Sequence, residues 1–85
     1  MAKTKHENRA LFDFLQYDES VQWEPSQSGF EICLWSWAGK DYIACPAHFC
    51  NTGKIPVYQM EEDVVIAKWH CKPTMKMGKV YQSLR

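Results

Sequence analysis

The chain has 85 residues, with ten Lys or Arg against ten Asp or Glu, and 14% of it is aromatic. A chain of this length buries only about 60–65% of the surface its unfolded form exposes, so residues 1–85 are expected to build one compact domain with a thin core. Zero net charge argues against a domain made for phosphate. No stretch approaches the roughly eighteen apolar residues of a membrane helix, so no membrane partner is expected.

Thr4 followed by Glu7 has the spacing of a capping box. Behind it, Leu11, Phe14 and Leu15 form a stripe at helical period, which predicts a helix over 5–18. From Ser20 the period changes to two, and "SVQWE" reads as a strand ended by the turn residues "PSQSG". "FEICLWSW" is a longer strand, joined through "AGKD" to "YIAC". An irregular stretch runs from Pro46 to Pro56, and "VYQM" and "VVIAKWHC" then pair across the acidic turn Glu61–Asp63. "KPTMKMGK" reads as a loop and "VYQSL" as a last short strand. The fold class expected is α+β, an N-terminal helix followed by a five- or six-stranded antiparallel sheet.

In "FEICLWSW", Phe30, Ile32 and Leu34 point one way and Cys33, Trp35 and Trp37 the other. "VVIAKWHC" repeats the pattern, with Val64 and Ile66 opposed to Val65, Ala67, Trp69 and Cys71. Strands apolar on both faces call for cover on both sides, yet one helix is in view to provide it. Three arrangements resolve the mismatch. The sheet curls into a small barrel, a second copy covers the open face as a homodimer, or the aromatics stay exposed as a docking surface.

"CPAHFC", residues 45–50, places two thiols and an imidazole within six positions. Zinc takes such ligands tetrahedrally, and Cys45, His48, Cys50 and Cys71 are the candidate set, with His70 and Cys33 as substitutes. The paired spacing of a zinc signature is missing, so the expectation is a packed loop without a cofactor, with zinc as the alternative. A cysteine nucleophile needs a lowered thiol pKa and an oriented base, and no catalytic motif surrounds these residues. An enzyme is not expected.

After Asp63 the chain carries Lys68, Lys72, Lys76, Lys79 and Arg85 and no acid. Trp69 and Tyr81 lie among these cations, which suits either a protein interface or single-stranded nucleic acid. The leading expectation is a cytoplasmic, non-enzymatic protein-binding module, an inhibitor or adaptor that docks Trp35, Trp37, Trp69 and Tyr81, with Lys68, Lys72, Lys76 and Lys79, on a larger protein or nucleoprotein complex. Small accessory proteins of phages and mobile elements share this size class. The alternative is a small nucleic-acid binder using the basic C-terminal region, with or without zinc.

Overall fold

Residues 6–48 and 52–84 are described by a computed structural model. A short 3-10 turn, His6–Asn8, leads into helix α1 (Leu11–Tyr17). Strands β1 (Gln22–Pro25), β2 (Glu31–Trp37) and β3 (Lys40–Ala44) follow, then a second 3-10 turn at Pro46–His48. Strands β4 (Ile55–Glu61) and β5 (Val64–Cys71) and helix α2 (Met77–Ser83) complete the chain. The five strands form one antiparallel meander in the order β1-β2-β3-β4-β5.

Local chemistry explains the hairpins. Two residues connect β2 to β3, Ala38 and Gly39, and two connect β4 to β5, Glu62 and Asp63. All four have positive φ, the backbone whose twist matches that of paired strands. In Glu62 and Asp63 that conformation is unusual for residues bearing a Cβ.

Both helices pack on the same face of the sheet. The core is Leu11, Phe14 and Leu15 from α1, Cys33 and Trp35 from β2, Tyr42 and Ala44 from β3, Ile55 and Val57 from β4, and Met77 and Val80 from α2. Trp23 ties β1 to this layer through its indole N–H, which donates to the Leu15 carbonyl at 2.9 Å. Neither helix has a side chain capping its start. Instead the two starts satisfy each other. Leu11 N–H donates to the Met75 carbonyl at 2.8 Å and Phe12 N–H to that of Pro73 at 3.0 Å, while Met77 N–H returns a bond to Arg9 at 2.8 Å. Ala10 and Lys76 form an antiparallel bridge between them. Amides that a helix start leaves without partners are thus used to join the two ends of the chain.

Several expectations are corrected. "VYQSL" belongs to a helix, as does the end of "KPTMKMGK". Met77, Val80, Tyr81 and Leu84 recur at helical spacing, and the buried or half-buried side of α2 follows them. The predicted helix over 5–18 is divided into a 3-10 turn and a seven-residue helix; Thr4 lies outside the described residues. The sheet has five strands and is not closed into a barrel: β1 and β5 are its two edges. With two helices covering the tryptophan-bearing face, curling is unnecessary. The alternation in β5 also shifts, because Gln59 pairs with Ala67 but Met60 with Val65, leaving Ile66 as a bulge.

Gly78 explains how closely α2 approaches the first turn. A Cβ there would lie 3.1 Å from Glu7 Cβ and 3.4 Å from its carbonyl oxygen. Replacing a helical glycine by alanine ordinarily stabilises by about 1 kcal/mol. For Gly78→Ala we expect that gain to be cancelled, with an unfolding free energy in urea unchanged or lower. A full gain would show that the 3-10 turn yields freely.

Candidate functional site

The tryptophans of β2 lie inside. Trp35 is 4% exposed, packed face to face with Tyr42 at 5.6 Å and edge-on to Phe14 at 5.3 Å. Its indole N–H donates to the Tyr81 hydroxyl at 3.0 Å, and that hydroxyl is 2.7 Å from His6 Nε2. Trp37 stacks on Tyr81 at 4.1 Å with the rings 4° from parallel, and His6 stacks on Trp37 at 5.0 Å. The structure therefore brings Trp35, Trp37 and Tyr81 together as an aromatic stack joining β2, α2 and the N-terminal turn.

The remaining residues singled out for partner binding are dispersed. Trp69 is 49% exposed and lies beside Val57 on the helix-bearing side of the edge strand. Lys68 pairs with Tyr58 on the opposite side. Lys72 follows β5, Lys76 precedes α2 and reaches the Asn8 carbonyl at 3.3 Å, and Lys79 is exposed on α2.

At "CPAHFC" the described residues are Cys45 to His48; Phe49 and Cys50 lie outside them. His48 is exposed, and its amide closes the 3-10 turn on the Cys45 carbonyl at 3.1 Å. Cys45 donates its own amide to Pro56, whose partner across β4 and β5 is His70. Cys71 stands next to His70 in a strand, so it points to the other side of the sheet, where it is fully buried opposite Ile55. Among the described residues, no three His, Cys, Asp or Glu side chains are grouped to hold a metal ion. Burial pushes the Cys33 thiol up to about 12 and the Cys71 thiol to about 11, and raises that of Cys45.

The face of the sheet opposite the helices has no layer over it among the described residues. Register places its side chains in rows. Gln22, Leu34, Ile43, Tyr58 and Lys68 cross the five strands in one line. A neighbouring line runs from Ser36 through Asp41 and Met60 to Val65. Leu34, Ile43, Tyr58 and Met60 are only half-buried. Between the two rows lies a depression of about 460 Å³, lined by Leu34, Ser36, Asp41, Ile43, Met60 and Asp63 among others. Ser36 Oγ donates to Asp41 Oδ1 at 2.6 Å, which fixes that carboxylate at the rim. The result is an aliphatic floor with two carboxylates beside it.

The sequence does not single these residues out, because the covering helix α2 reads there as a loop and a strand. The stripe Met77, Val80, Tyr81 and Leu84 was the available signal. Two helices suffice to cover the tryptophan face and leave the Ile32–Leu34 face open.

No protein family matches the chain, nor does any curated protein or any solved structure.

Two measurements follow. Burial holds His6 below its ordinary pKa of 6.5, opposed by the charges of Glu7 and Asp18 and reinforced by Arg9. The Tyr81 hydroxyl accepts from Trp35, which leaves its own proton free for a neutral His6 Nε2 at 2.7 Å. A depressed folded-state pKa means that the folded state binds fewer protons. Stability is therefore complete above about pH 6.5 and declines as pH falls from there through the folded value. We expect denaturant titrations between pH 7.5 and 5 to show this loss, and His6→Gln to flatten it. A second measurement uses the thiols: iodoacetamide at pH 8 should label native Cys45 slowly and Cys33 and Cys71 only on unfolding. Rapid native labelling at Cys33 or Cys71 would contradict their burial.

Proposed function

We propose that the chain is a non-enzymatic protein-binding module, a small inhibitor or adaptor that docks the helix-free face of its sheet on a larger protein. One observation carries this reading: the depression between Leu34, Ile43 and Met60, with Asp41 and Asp63 at its border. An aliphatic pocket beside two carboxylates, that of Asp41 held by Ser36, suits a partner segment that inserts an apolar side chain and sets a lysine or arginine against the acids. A half-buried aliphatic patch of this kind is costly to leave wet, and covering it supplies the favourable term of association. No cofactor is needed, and thiols raised by burial are poor nucleophiles, which accords with a binding role.

The nucleic-acid alternative draws on Trp69, Lys68, Lys72, Lys76 and Lys79. Trp69 and Lys68 point to opposite sides of β5, and Tyr81 has its hydroxyl bonded within the aromatic stack. A stacking platform flanked by phosphate contacts on one side is not what this distribution favours.

Peptide display against the folded protein, followed by NMR mapping of the selected ligands, tests the reading. We expect peptides that combine an apolar residue with Lys or Arg and that perturb Leu34, Ile43, Met60 and Asp41. Leu34→Glu and Asp41→Lys should each weaken binding by about tenfold or more while leaving the circular dichroism unchanged. Ligands that map to the helices would overturn the proposal. So would oligonucleotide binding that falls steeply with salt while selection yields no peptides, which would favour the alternative.

A further inference from the structure

The two edges of the sheet are built differently. β1 has four residues, Gln-Trp-Glu-Pro, and its shortness, charge and proline are common protections against edge-to-edge pairing. β5 has eight residues and no proline. Among the described residues its only strand neighbour is β4, and Val64, Val65, Ile66 and Trp69 are 60, 48, 46 and 49% exposed. A long apolar edge of this kind is a template for another strand.

Charge along β5 identifies that strand. Its N-terminal end is led in by Glu61, Glu62 and Asp63, whereas Lys68, His70 and Lys72 lie towards its C-terminal end. All six are exposed. An antiparallel copy of the same segment sets acid beside base at both ends. A parallel copy would set like beside like. We propose that β5 pairs with β5 of a second copy, about a two-fold axis normal to the sheet near Ala67, to form a continuous ten-stranded sheet. Centred on Ala67 and shifted by one across the bulge at Ile66, the register sets Val65 of each copy opposite Lys68 of the other and Val64 opposite Trp69, and brings the acidic turn Glu62–Asp63 beside His70 and Lys72. Centring one residue further on would oppose Lys68 to itself, so that lysine selects between neighbouring registers. The bulge at Ile66 lies within the paired segment but leaves residues 67–71 in regular register with β4.

The inference does not depend on the role given to the helix-free face. A two-fold normal to the sheet keeps both copies of that face on one side, accessible together. It would offer a partner two equivalent pockets, and a bivalent target would gain avidity from them.

Analytical ultracentrifugation over a concentration series, at low and at moderate salt, tests the pairing. The wild type is expected to dimerise, more weakly at higher salt. Glu62→Lys and Lys72→Glu should each weaken the dimer by about tenfold, because each sets like charges near one another at both ends of the paired strands. The double variant Glu62→Lys/Lys72→Glu should recover most of the affinity. Leu34→Glu, which probes the other face, should leave the dimer intact. A wild type that stays monomeric to about 1 mM, where Kd would correspond to only about 4 kcal/mol, overturns the proposal. A dimer untouched by the charge reversals overturns it too. If such a dimer is lost in Leu34→Glu, the sheets stack face to face instead.

Discussion

The Tyr81 hydroxyl is the point on which the described fold depends. It accepts from the Trp35 indole, and it is bonded to His6 Nε2. One atom therefore joins the central sheet, the C-terminal helix and the N-terminal turn, which are far apart in the chain. The rings around it extend the same connection, with Trp37 stacked on Tyr81 and Tyr42 beside both Tyr81 and Trp35. Burial pushes the Tyr81 phenol well above its ordinary range, so it remains a neutral hydroxyl able to hold both partners. In a chain this short, such aromatic pairs supply area that a longer chain would obtain from more residues.

Committing both helices to the aromatic face decides what the surface offers. The large rings, which by composition alone look like anchors for a partner, are used to seal the core against α1 and α2. What remains on the other face is aliphatic, with a single ring, Tyr58, on the central row. Its polar surroundings come from different strands: Ser36 and Asp41 from β2 and β3, Asp63 from the last hairpin, and Lys68 from β5. No segment of sequence contains this surface. Strand register assembles it, with each row taking at most one residue from a strand.

The reciprocal bonding of the helix starts has a similar character. A helix without a side-chain cap ordinarily leaves several amides to water. Here the carbonyls of Pro73 and Met75 meet α1, and that of Arg9 meets α2. The bridge between Ala10 and Lys76 is in effect a one-pair ladder, and it spares both short helices from depending on their own propensity. α2 has no cap motif beside it in the sequence, which is why it is hard to see there, whereas the capping-box spacing of Thr4 and Glu7 lies well before Leu11, which is why α1 is overextended.

By itself the sequence determined the strand pattern from Gln22 to Cys71, because alternation of apolar side chains and glycine- or acid-bearing turns are local properties of a chain. It also determined the antiparallel class, since no crossover helix separates consecutive strands. It showed that one face of β2 carries Trp35 and Trp37 and the other Ile32 and Leu34. Tertiary structure alone decided which of those faces is inside. That choice depended on α2, whose stripe of Met77, Val80, Tyr81 and Leu84 is short, is interrupted by Gly78, and becomes helical through bonds to Arg9 and His6 near the other end of the sequence. Likewise the separation of Cys45 from Cys71, 26 positions apart and linked in the sequence by nothing but a shared metal-ligand chemistry, follows from the pleat of a folded sheet. Local patterns set the elements, whereas burial is settled by whatever packs against them.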